Sequence, residues 1–60
     1  MRFRELEIGD RFELVIGTTG IWQKWGARTY VRAEGESRWR TKYIGKANDE
    51  VRLVEKKNNG

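Results

Sequence analysis

Arg38, Arg40 and Lys42 alternate with Trp39 and Thr41, and Trp22-Gln23-Lys24-Trp25 lies a short way upstream. Alternation is the spacing that puts cations on one face of a strand. Three cations so placed span roughly 13 Å at about 3.3 Å per residue, enough to touch two or three phosphates. A tryptophan beside them offers a face on which a base can stack, worth roughly 1–3 kcal/mol. The chemistry in reach is therefore anion binding with base stacking. Its candidate residues are Trp22, Lys24, Trp25, Arg38, Arg40 and Lys42.

The charge distribution points the same way. Residues 22–46 hold seven basic residues against Glu34 and Glu36, a net of +5, and all three tryptophans and both tyrosines lie there. Residues 1–21 carry −1 and residues 47–60 balance to zero, so the +4 of the chain comes from this one aromatic-rich stretch. Such clustering is the electrostatic footprint of a surface that meets an anionic partner, nucleic acid first among them.

Other chemistries have little to work with. The chain has no His and no Cys, hence no imidazole base, thiol nucleophile, disulfide or thiolate zinc site. Nothing assembles a nucleophile with a base, and the reading is a non-enzymatic protein without cofactor, metal or small-molecule substrate. The nine Asp and Glu show no EF-hand spacing. Asp10, Asp49 and Glu50 could attract a cation, but Asp at such positions more simply serves turns. Glu34-Gly35-Glu36 reads as a solvated turn tip rather than a catalytic carboxylate pair. Gly17-Thr18-Thr19-Gly20 lacks the lysine and following helix of a phosphate loop.

The elements that must position these residues are strands. No segment carries a helical period, and seven glycines punctuate the chain at the spacing of turns in a small β domain. Strands are expected over 11–17, 21–25, 28–34, 37–43 and 51–54, with Leu6 to Asp10 as an opening turn. Phe12, Leu14 and Ile16 alternate toward one face. A two-residue turn at Gly35-Glu36 sets Arg32 opposite Trp39, Tyr30 opposite Thr41 and Arg28 opposite Tyr43. One face then holds Tyr30, Trp39 and Tyr43. The other holds Thr29, Val31 and Ala33 with Arg38, Arg40 and Lys42, which a core this small cannot take in.

Five short antiparallel strands in 60 residues make an all-β, SH3-like barrel. Residues 1–55 form the single domain and 56–60 a polar tail. A chain of this length buries only about 60% of its unfolded surface, so its core rests on large aromatic side chains, or on a small homo-oligomer. No run of seven apolar residues occurs, which leaves no membrane-spanning stretch in the sequence and makes cytoplasm the expected location.

The opening Phe3-x-x-Leu6-x-x-Gly9-Asp10-x-Phe12, the segments Ile21-Trp22-Gln23-Lys24 and Arg28-Thr29-Tyr30, and the closing Ala47-Asn48-Asp49-Glu50-Val51 resemble small uncharacterised bacterial and phage proteins with SH3-like barrels. The resemblance implies the fold and assigns no functional residue. The function expected from the residues is weak, non-specific nucleic-acid binding through the basic aromatic face. The alternatives are an adaptor, such as a phage accessory protein, that docks on an acidic protein, and an oligomer subunit that buries its tryptophans.

Overall fold

The computed structural model describes residues 1–17, 19–35 and 40–56. After one 3-10 turn, Phe3–Glu5, the chain forms five strands: β1 Arg11–Leu14, β2 Trp22–Lys24, β3 Thr29–Arg32, β4 Tyr43–Ile44 and β5 Val51–Glu55. They lie in one antiparallel sheet of order β4-β3-β2-β1-β5. β1 to β4 run as a meander, and β5 returns to the far side of β1. The fold is thus all-β with the five antiparallel strands expected. The sheet curls as a small barrel does but stays open, with β4 and β5 as its edges.

Curvature has a local cause. Arg11 pairs with Glu55 while Phe12 pairs with Leu53, so Val54 is the extra residue of a bulge that bends β5 around the core. Inside the bend lie Phe3, Leu6, Phe12, Trp22 and Val51, with Leu14, Tyr30 and Leu53 half-buried against them. Tyr30 is the hub. Its ring meets those of Phe3, Phe12 and Trp22 edge-on at 5.9, 5.7 and 5.0 Å and stacks on Tyr43 at 5.6 Å.

The N-terminus plugs one end of the sheet. Phe3 and Arg4 N–H donate to the carbonyls of Asp49 and Ala47 at 2.8 and 3.1 Å, and Val51 N–H donates to Met1 O at 2.8 Å. Phe3 and Leu6 stand three residues apart, so the 3-10 turn aims both inward. The Leu6-to-Asp10 turn forms as expected: Gly9 has φ 102°, and the Asp10 carboxylate accepts the Glu7 N–H at 2.9 Å.

Three expectations are corrected. β1 ends at Leu14, and Ile16 is 85% exposed instead of facing the core. The hairpin register differs by two residues: Tyr30 pairs with Tyr43 and Thr29 with Ile44. A Gly35-Glu36 turn would have set Thr41 against Tyr30. The observed register instead lays the Tyr43 ring on Tyr30 and against Trp22, 5.2 Å away, so ring packing rather than turn chemistry fixes the pairing. Because the shift is even, Tyr30 and Tyr43 still share a face. The third correction concerns the opposite face, where Val31 and Ala33 are buried. Trp39, Arg38 and the tip Glu36-Ser37 lie outside the described residues, as do Thr18 and 57–60 of the tail.

Candidate nucleic-acid interface

Of the six residues singled out, Trp22 and Lys24 are not on the surface. Trp22 is 3% exposed, and its ring is spent on Tyr30, Tyr43 and the Arg32 guanidinium, whose Cζ lies 4.1 Å from the ring centroid. Phe12 pairs with Trp22 across the sheet, so the alternation that buries one buries the other.

Lys24 is 6% exposed and faces inward as well. Its Nζ donates to Leu6 O at 2.7 Å and Phe3 O at 3.4 Å, and it sits 4.8 Å from the centre of the Phe3 ring. The ammonium ties β2 to carbonyls of the opening turn. A cation flanked by two tryptophans reads as surface in the sequence; a strand buried on its inner face takes it in because carbonyls and a ring meet it there.

Trp25, Arg40 and Lys42 are exposed, as the binding role requires. Trp25 leaves the sheet at the end of β2, where its own N–H and that of Gly26 donate to Thr29 O at 2.9 and 3.2 Å. This tight turn holds the indole 46% exposed. Lys42, the residue before β4, places its Nζ 4.5 Å from the Trp25 ring centroid. Among the described residues of the 37–43 stretch, Tyr43 alone is in a strand, Arg40 lies in a turn, and Arg38 falls outside the described residues.

Arg28 joins the patch, and sequence reasoning passed over it. It is exposed on the Trp25–Thr29 turn, and its carbonyl accepts the Gly45 N–H at 2.7 Å, which holds that turn beside the end of β4. Its position three residues after Trp25 in a Gly-containing turn was the available signal. Among the described residues the ion pairs are Arg11–Glu55 and Lys56–Glu7, so no described carboxylate neutralises Arg28, Arg40 or Lys42.

A cleft of about 600 Å³ is lined by Leu14 and Ile16 from β1 and beyond, by Ile44 of β4, by Tyr30, and by Arg2, Lys46, Asp49 and Glu50. Burial first, then the Asp49 carboxylate and Tyr43, push the Tyr30 hydroxyl above its usual pKa of 10.0. It stays a neutral donor and acceptor at physiological pH.

Among the described residues no group of three or more carboxylates is placed to hold a metal, and no helix is long and apolar enough to cross a membrane. Asp49 serves its turn, accepting the Lys46 N–H at 3.1 Å. Compared with known proteins, the chain matches no family model, no curated protein and no solved structure.

Proposed function

We propose that this chain is a small non-enzymatic module that binds nucleic acid weakly and with little sequence preference, through Trp25, Arg28, Arg40 and Lys42. The observation that carries the reading is the exposed Trp25 indole with Lys42 Nζ 4.5 Å from its centre. A ring that offers a flank to solvent beside a cation supplies both parts of single-strand binding, a stacking platform and a phosphate contact. With Arg28 and Arg40 nearby in sequence and fold, two or three phosphates are neutralised. That number gives Kd values in the range of about 10⁻⁴–10⁻⁶ M at physiological salt and a shallow salt slope.

Among the described residues the patch has no element that enters a groove and reads base edges, so shape and charge set the preference. Bacterial or phage origin and kinship with small SH3-like proteins belong to the same proposal and rest on the sequence resemblance, and cytoplasmic location rests on the lack of cysteine and of a long apolar run. The test is fluorescence anisotropy with labelled single- and double-stranded oligonucleotides over a salt series. Binding that weakens as salt rises and is lost in Arg40→Glu supports the reading. An unfolded Arg40→Glu is not expected, because an outward charge reversal costs little stability.

A further inference from the structure

The β4 edge and the cleft beside it share Lys42 with the patch but are otherwise separate from it, and their chemistry is different. Antiparallel pairs alternate between hydrogen-bonded and non-hydrogen-bonded kinds. Gly45 N–H reaches Arg28 O at 2.7 Å, so the Thr29–Ile44 pair is the non-hydrogen-bonded kind. The N–H and C=O of Ile44 therefore turn away from β3, toward the open side of the sheet. The Ile44 side chain is 81% exposed and lines the cleft with Ile16 and Leu14. An unpaired edge beside a cleft with one aliphatic wall is a seat for an added strand.

The charges decide which strand. Residues 40–46 read Arg-Thr-Lys-Tyr-Ile-Gly-Lys, with three cations and no acid. Two copies paired edge to edge about Ile44 would set Lys42 of one against Lys46 of the other, twice over, and like charges opposite each other repel. The chain's net charge of +4 opposes that union as well. An acidic strand meets the same lysines favourably. Arg2 and Lys46 line the cleft with Asp49 and Glu50, so its charges balance, and the wall made by Leu14, Ile16 and Ile44 is what suits an aliphatic side chain.

We infer that the β4 edge binds an extended peptide segment of pattern acidic-x-aliphatic-x-acidic by strand addition, the aliphatic side chain opposite Ile44 and the two acids opposite Lys42 and Lys46. Backbone bonds at Ile44 give affinity, the cleft selects an apolar residue, and the lysines select the flanking acids. Edge lysines often serve only to repel stray strands. A purely protective role predicts no preference for the acidic peptide.

The experiment follows backbone amides of the isotopically labelled full chain by NMR while an acetylated, amidated Gly-Glu-Thr-Ile-Thr-Glu-Gly peptide is added. The expected result is saturable shifts over 42–46 and slowed exchange of the Ile44 amide. The same peptide with Lys in place of Glu should bind at least about tenfold more weakly, as should the acidic peptide to a Lys42→Glu, Lys46→Glu double variant. Ile44→Pro removes the outward N–H and no bond to β3, and should weaken binding roughly fivefold, about one net hydrogen bond. Ile44→Pro should leave oligonucleotide binding unchanged, which separates this site from the nucleic-acid patch. Equal binding of the Lys peptide overturns the inference. So do concentration-dependent shifts at β4 without peptide, which indicate a second copy, and shifts at β4 with an oligonucleotide but not with the peptide.

Discussion

Lys42 Nζ stands 4.5 Å from the centre of the Trp25 ring, although seventeen positions separate the two in the chain. The contact joins the β2–β3 turn to the residue before β4 and makes one surface of two segments. A cation over an exposed indole contributes roughly 0.5–1 kcal/mol, too little to justify the exposure of a tryptophan by itself. The indole flank left to solvent is what a base or another planar group would cover.

Trp22, a candidate stacking residue by sequence, belongs to the core. Trp22→Ala should destabilise the fold by about 3–5 kcal/mol, the cost of truncating a buried large aromatic, and leave little folded protein at this chain length. Thermal denaturation followed by circular dichroism checks it. A melting point within a few degrees of the parent would place the ring at the surface after all.

Lys24→Met keeps the stem of the side chain and removes the ammonium. Leu6 O loses its 2.7 Å bond and Phe3 O its longer one. The expected cost is about 1–3 kcal/mol in chemical denaturation. Unchanged oligonucleotide affinity in folded Lys24→Met would show that this lysine holds the fold together and does not touch the partner.

Gly45→Ala probes the seat of Phe3. A Cβ at Gly45 would lie 2.8 Å from Phe3 Cζ, and that ring is buried and cannot swing away. The expected destabilisation is about 1–3 kcal/mol from overpacking, read as a lower denaturation midpoint with an unchanged slope.

Alkaline pH tests the hub tyrosine. The folded Tyr30 hydroxyl titrates above the unfolded value of 10.0 because burial, and then Asp49 and Tyr43, disfavour the phenolate. Its contribution to stability is whole below pH 10 and is lost as pH rises through the folded pKa, because the unfolded chain releases the proton first. Tyr30→Phe should show a shallower loss of stability above pH 10 than the parent when both are melted across the same pH series.

Much of the fold was legible because alternation and glycine spacing carry it. The β1 pattern around Phe12 and the Leu6-to-Asp10 turn need only local chemistry. The hairpin register was not legible. A turn rule acts on Gly35 and Glu36, whereas the pairing answers to Tyr43 packing on Tyr30 and Trp22, a contact between distant positions. The site was half legible for the same reason. Trp22, Lys24 and Trp25 look alike in composition, yet strand parity turns the first two inward and the turn at Gly26 leaves the third outside. Lys24 could be placed only once the Leu6 and Phe3 carbonyls were known to face it.

The central claim is that Trp25 with its neighbouring cations binds nucleic acid, and one titration addresses it most directly. Labelled single- and double-stranded oligonucleotides are titrated with the parent chain and with Trp25→Ala, and anisotropy is read at low and at physiological salt. The parent should bind both at low salt, reaching micromolar affinity or weaker at physiological salt. Trp25→Ala should lose about 1–3 kcal/mol on single strands and less on duplex, since only an unpaired base can stack on the indole. Absence of binding to either oligonucleotide below about 100 μM at low salt, the weak end of non-specific affinities, would contradict the account.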